Sequence, residues 1–411
     1  MRDIKENELA RGRCILVIYS GELDREIEAS GISENFFGDV TRDPSELPDD
    51  LTQRTLFVCG DLSEKKLPDH PCQIIQELSR VDEVSNPLST QITLGQVPHS
   101  IYGLGVLYPA HFLPDDLFGK ISAEHEFQQL TESNKPSLAL RSGIYLSEVK
   151  RVEPEAGGIP PVDAPLCFHL MRCSSNLSGP TDNFRETDWR VIEAVNASAA
   201  SLFEREVELN HVLAQVYTNR RLGNQKQQKA RIGAHSDKTK DMHPNGVMAF
   251  CSFYNEEELG KLSPSPKDPY DYVHHGVSGL TQLYFKLKKT VEEEGLIPEF
   301  SVTLYPNSVF FMPLSTNRLY THEIRPSQLD AELVPTRMGY VVRCSGTKAI
   351  HDQGQTFIIE GEQRIQLVEM KPEDVRELKD SYYTENATDH PVDYDGIYFS
   401  MNAGDYLKPI E

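Results

Sequence analysis

Between His211 and Cys344 the chain passes through eight short runs dense in β-branched and aromatic residues: HVLAQVY, IGAHSD, VMAFCSFY, LTQLYFKLK, FSVTLY, SVFFMPL, NRLYTHEI and RMGYVVRCS. Runs of this length bounded by turn residues read as strands. Eight in succession predict two facing antiparallel sheets, the jelly-roll arrangement. The preceding segment, Glu186 to Leu209, carries Trp189, Val191, Ile192, Val195, Ala199, Leu202 and Phe203 at helical spacing, with Thr187 or Asp188 placed to cap its start. That pattern predicts a helix packed outside a sheet, with Trp189 and Phe203 in the core.

The second run leads into RIGAHSDKTKD, which sets His235 and Asp237 two residues apart. Side chains at i and i+2 on a strand leave the same face, so this imidazole and this carboxylate can take adjacent corners of a metal's coordination sphere. A second histidine would complete the facial triad that suits iron(II), and His322 in RLYTHEI is the candidate. With 13 histidines in the chain a lone HxD triplet is expected by chance. The weight lies in the order: HxD at a strand end, a histidine in a later strand, then a basic strand. In that basic strand, RMGYVVR, Arg337 and Arg343 share one inward face with Gly339 and Val341, and an arginine there could clamp a dicarboxylate. His274 and His275 lie in an insertion from Asn255 to Ser278 with no carboxylate at metal spacing, and read as solvated histidines.

A chain of 411 residues exceeds one typical domain. The expected division is an N-terminal α/β extension over 1–110, a connecting region that could act as a lid over 111–185, the strand-rich domain over 186–348 and an acidic C-terminal extension over 349–411. In the first part, RCILVIYSGEL and RTLFVCGDLSE read as strands. In the second, EPEAGGIPPVDAP reads as a surface loop. The last part holds the apolar run TFIIEGEQRIQLVEM and an expected helix from Pro372 to Ser381, with no catalytic signature. A net charge of -22 opposes broad, nonspecific binding to phosphate backbones. Seven scattered cysteines without a CxxC pair fit neither a disulfide framework nor a thiolate zinc site. With no apolar stretch long enough to span a bilayer, the expectation is a soluble intracellular, cytoplasmic protein with no membrane partner.

The order LAQVY, AHSDK, SVFFMPLSTNRLYTHEI, RMGYVVR resembles the Fe(II)- and 2-oxoglutarate-dependent dioxygenases of the AlkB type, over about Val212 to Cys344. The resemblance implies an α+β, mainly β fold: a double-stranded β-helix (jelly-roll) catalytic core with flanking helices and an N-terminal α/β elaboration. It implies that His235, Asp237 and His322 hold Fe(II), that Arg337 pairs with the distal carboxylate of 2-oxoglutarate, that Tyr217 hydrogen-bonds this cosubstrate, and that Arg343 supports the site. Gln215 stands where the family commonly has asparagine. Arg231, Lys238 and Thr239, around the HxD segment, are the candidate substrate contacts. The implied reaction consumes O2 and 2-oxoglutarate and releases succinate and carbon dioxide.

Three departures bear on the substrate. Thr239 falls where nucleic-acid-repairing members carry an acidic residue, Gly339 and Val341 replace polar residues, and the insertion RRLGNQKQQKAR follows Tyr217. The leading expectation is therefore hydroxylation of a small molecule or a protein side chain. An AlkB-like oxidative demethylase of nucleic acid is the second reading, favoured by the basic run Arg220, Arg221, Lys226, Lys229, Arg231, Lys238 and Lys240. A non-catalytic jelly-roll binding module is the third.

Overall fold

Each of the eight β-rich runs forms a strand in the computed structural model, which describes residues 6–63, 65, 67–81, 87–131, 138–154, 159–172, 177–222 and 226–411. Four of them, His211–Tyr217, Val247–Tyr254, Ser308–Pro313 and Arg337–Arg343, belong to a nine-stranded sheet. The other four, Ile232–His235, Gln282–Leu287, Glu299–Thr303 and Tyr320–Arg325, make a four-stranded sheet. Spatially the large sheet orders them His211–Tyr217, Arg337–Arg343, Val247–Tyr254, Ser308–Pro313, and the small one Ile232–His235, Tyr320–Arg325, Gln282–Leu287, Glu299–Thr303. All pairings among these strands are antiparallel.

The period of two explains why the sheets face each other. Met248, Phe250, Phe310 and Met312 of the large sheet meet Leu283, Phe285, Phe300, Val302, Tyr320 and Ile324 of the small one in a single apolar core. The intervening residues Ala249, Cys251, Phe253, Met338, Tyr340 and Val342 point the other way, into a second core shared with the helix Glu186–Leu202. Each large side chain so buried contributes roughly 1.5–3 kcal/mol.

The helix starts at Glu186, but its cap is Arg185, not Thr187 or Asp188, and it ends at Leu202, short of Leu209; from inside the first turn the Asp188 carboxylate accepts from the Arg185 amide at 2.8 Å. Phe203 is fully buried, but Trp189 is not a core residue; it is 36% exposed and packs edge-on against Phe184. Position 189 lies on the helix face turned from the sheet, so its indole covers the surface instead.

The N-terminal region forms a five-stranded, wholly parallel sheet ordered Asp39–Thr41, Cys14–Tyr19, Thr55–Asp61, Cys72–Arg80, Thr90–Ile92. Its Cys14, Leu16 and Ile18 join the core that holds the helix and the outer face of the large sheet, so it covers that side of the molecule. Residues on either side of position 110 also build the large sheet. His99–Ile101 and Gly105–Tyr108 extend its edge beyond Ser308–Pro313, and the 10-residue strand Leu138–Ser147 pairs with His211–Tyr217. Residues 155–158 of the expected surface loop, Cys173, and residues 223–225 of the basic insertion lie outside the described residues. Part of TFIIEGEQRIQLVEM becomes the antiparallel pair Gln355–Glu360 and Gln363–Gln366, and the helix after it runs Pro372–Ala387, well past Ser381. Among the described residues no helix is long and apolar enough to cross a membrane.

Candidate metal centre

The site begins with a strand pairing. Ile232–His235 lies antiparallel to Tyr320–Arg325, with Ile232 opposite Ile324 and His235 opposite His322. Between these pairs one strand uses an extra residue, so a bulge forms at Gly233 and Ala234 and turns His235 relative to a regular ladder. The two imidazoles come to 4.5 Å between ring centres. Asp237 Oδ1 is 3.6 Å from His235 Nε2 and 3.9 Å from His322 Nε2. The three groups thus converge, each with one ligand-type atom within 4.8 Å of the others.

Local contacts fix which atoms point inward. His235 Nδ1 is 2.9 Å from the Gly233 carbonyl oxygen. A carbonyl can only accept, so Nδ1 carries a proton and Nε2 is the ring nitrogen that faces Asp237. His322 is 3% exposed and packed by Phe250 and Phe285; this burial, with His235 beside it, pushes its imidazole down to about 3, which keeps it neutral. Burial works to raise the Asp237 carboxyl, but against it stands above all the Arg343 guanidinium, Nη2 3.3 Å from Oδ2, and the group is held well below the usual carboxylate range. Two imidazoles and one carboxylate are the donor set of a facial triad.

Alternation along a strand does not by itself place Asp237, because the strand stops at His235. Beyond it, main-chain groups pair with side chains instead of with a neighbouring strand. The Ser236 amide donates to Asn386 Oδ1 at 2.7 Å, and the Asp237 amide donates to Asn317 Oδ1 at 2.8 Å. Asn317 Nδ2 donates back to the Asp237 carbonyl at 2.9 Å. Neither asparagine carries a pattern readable in the sequence.

The arginine strand lies on the large sheet with Arg337 between Tyr217 and Tyr254, and Gly339 between Gln215 and Ser252. Arg337 is 3% exposed, its guanidinium carbon 4.4 Å over the Tyr217 ring. Its Nη1 reaches Ser252 Oγ at 3.5 Å, while Nε and Nη2 are buried with no hydrogen-bond partner. Tyr217 donates to Gln215 Oε1 at 2.9 Å. Gly339 has a steric role here: a Cβ would sit 3.0 Å from Arg337 Nη1 and 3.2 Å from a Tyr217 ring carbon. One strand further out, Arg141 pairs opposite Tyr217 and leaves its Nε buried without a hydrogen-bond partner. Sequence reading missed it because its strand was taken for a connector.

The remaining candidates scatter. Thr239 gives both its amide (3.0 Å) and its hydroxyl (2.5 Å) to Glu385, and Lys238 donates to the Tyr382 carbonyl at 3.2 Å. Both therefore sit against the C-terminal helix. Arg231 is exposed. Arg220 and Lys226 belong to a small hairpin, Arg220–Leu222 with Lys226–Gln228, where Arg220 donates to Gln228. Lys240 is buried beside Asp241, so the basic run does not gather on one face. His274 and His275 stack on each other at 4.3 Å but join no metal-type cluster among the described residues.

In a second cluster, Glu124, His125 and Asp188, both ring nitrogens of His125 are already matched. His125 lies between Asp182 (2.8 Å) and Asp188 (2.7 Å), and Asp188 also accepts from Tyr340 at 2.7 Å. Burial alone would lower this imidazole; hydrogen bonds to the two carboxylates raise it to about 9. It is a buried cation joining the helix start to the large sheet.

No family model matches the chain, and no curated protein matches it. Among solved structures it is similar to one described as "The structure of OsALKBH1", at 12% identity and a TM-score of 0.28, over 55% of this chain and 90% of that one. At that score the likeness transfers neither fold nor activity.

Proposed function

We propose that the chain is an Fe(II)- and 2-oxoglutarate-dependent dioxygenase on a double-stranded β-helix core, hydroxylating a C–H bond of a small molecule or a protein side chain. The observation that carries this reading is Arg337. A converged His-Asp-His triad alone would suit several metals and roles. A buried guanidinium with Nε and Nη2 unmatched, on the same inner face as Arg343, which contacts the triad, suits an anionic oxygen pair, since each unsatisfied buried donor costs about 1–3 kcal/mol.

In this reading His235, Asp237 and His322 hold the iron, and Arg337 takes the distal carboxylate of 2-oxoglutarate with Tyr217 and Gln215 beside it. When bound, iron and 2-oxoglutarate supply the oxidation: O2, 2-oxoglutarate and R–H give succinate, CO2 and R–OH. The protein's own part is positional. His235 Nδ1–H is tied to Gly233 so that Nε2 is presented. Arg343 keeps Asp237 ionised, and Phe250 and Phe285 exclude water from the His322 side. Arg141, opposite Tyr217, supports a substrate that carries an anionic group. The dispersal of Arg220, Arg231, Lys238 and Lys240 supports a small molecule or side chain over a nucleic-acid strand, which needs several phosphates neutralised together.

The test is succinate formation from 2-oxoglutarate by purified protein under air, with and without Fe(II). Iron-dependent succinate, lost in Asp237→Ala, is the expected result. Equal succinate from the two proteins would remove the triad from the reaction.

A further inference from the structure

The segment that bears two of the three proposed iron ligands is not held by sheet pairing beyond His235. The amides of Ser236 and Asp237 are instead held from two places remote in sequence, Leu314–Leu319 and the C-terminal helix Pro372–Ala387. Asn317, 1% exposed, grips both the N–H and the C=O of Asp237. Asn386, in the last turn of the C-terminal helix, accepts from the amide of Ser236, the residue between the two ligands. The preceding Glu385 takes both donors of Thr239, and its other oxygen accepts from Tyr394 at 2.7 Å.

One buried lysine joins these grips. Lys288, 5% exposed, donates to the carbonyls of Asn317 (3.3 Å), Glu385 (2.7 Å) and Thr388 (3.1 Å). Its three donors therefore satisfy carbonyls at the end of the C-terminal helix, which have no partner within the helix, while anchoring the short helix that carries Asn317. The Ser236 hydroxyl adds a tie to the Tyr320 carbonyl at 3.2 Å, on the strand that carries His322.

We propose that Asn386 and Asn317, coupled through Lys288, are the positioning residues that set the separation of His235 and Asp237, so that the C-terminal helix governs how tightly the centre holds its metal. This rests on the iron reading above. The physical argument is one of preorganisation. The loop after His235 has no ladder to define its backbone, and a facial site binds well only if its ligands are already within reach of one another. Residues that orient ligands from outside the coordination sphere typically contribute ten- to a hundredfold in metal affinity. A helix that served only to cover apolar surface would not place its hydrogen-bonding side chains on the Ser236 and Thr239 amides, either side of Asp237.

The experiment is an anaerobic titration of the full chain with Co(II), a visible-absorbing stand-in for Fe(II), followed by its ligand-field bands. Four proteins are compared: wild type, Asn386→Ala, Asn386→Asp and, as a control on the exposed side of the same helix, Tyr383→Ala. Asn386→Ala is expected to weaken Co(II) binding ten- to a hundredfold and to change the band shape. Asn386→Asp keeps an acceptor for the Ser236 amide and should recover most of the affinity; Tyr383→Ala should match wild type. Lys288→Met should weaken binding in the same direction, and a metal-free melting curve on each protein separates this from loss of fold. Wild-type binding with an Asn386→Ala affinity within twofold of it overturns the positioning role alone. No Co(II) bands in wild type would overturn the iron reading itself, and this inference with it.

Discussion

At the scale of single residues, the most informative side chain is the one whose hydrogen bonds are incomplete. Arg337 has the planar fork that can hold a carboxylate by two parallel bonds, as a lysine cannot. Replacing it with lysine keeps the charge and removes the fork. Arg337→Lys is expected to weaken 2-oxoglutarate binding roughly ten- to a hundredfold while leaving metal binding nearly intact, measured by titrating 2-oxoglutarate into the metal-loaded protein. A larger loss in Arg343→Lys, with Arg337→Lys near wild type, would exchange the two roles. The even spacing that puts Arg337, Gly339, Val341 and Arg343 on one face was legible in RMGYVVR, and so was the His235 and His322 pair. The reason for Gly339 was not. It depends on where the Tyr217 ring and the Arg337 guanidinium end up, which is a packing fact.

At the scale of elements, the strand runs read cleanly because alternation is a local signal, whereas helix ends and helix roles depended on partners far away in sequence. The C-terminal helix was expected to stop at Ser381, before Tyr382, Tyr383 and Thr384, none of them a strong helix former. It continues to Ala387 because its last turn is held by Lys288, by Tyr394 and by the HxD loop. The helix Glu186–Leu202 has a comparable anchor in His125, whose side chain has 0% exposure between Asp182 and Asp188. The Asp182 and Asp188 carboxylates push the folded imidazole up to about 9, against about 6.5 for a free histidine. Its contribution is therefore fully present below about pH 6.5 and is lost as pH rises through 9, by an amount on the order of 3 kcal/mol. The stability gap between wild type and His125→Gln in denaturant melts should be largest at pH 6 and shrink towards pH 9.5. A gap that stays constant or widens would mean the imidazole is neutral in the folded protein. Comparison with the variant matters, because burial lowers Lys288 to about 8 and it titrates in the same window.

At the scale of the whole molecule, the two facing sheets were legible because eight amphipathic or apolar strands of similar length have few ways to bury their inner faces. What surrounds them was not. The parallel order of the N-terminal sheet, the recruitment of Leu138–Ser147 beside His211–Tyr217 and the return of the C-terminal helix to the HxD loop are all long-range choices. No local pattern encodes them. These additions reach the candidate site: the flanking strand brings Arg141 opposite Tyr217, and the terminal helix brings Asn386 to Ser236. The account as a whole stands on one binding event, simultaneous capture of iron by His235, Asp237 and His322 and of 2-oxoglutarate by Arg337. Anaerobic absorption spectroscopy measures it most directly. Adding Fe(II) and 2-oxoglutarate together should produce a weak visible charge-transfer band that neither produces alone and that is absent in His235→Ala and in Asp237→Ala. A band of full intensity in both variants, or no band in the wild-type protein, would contradict the account.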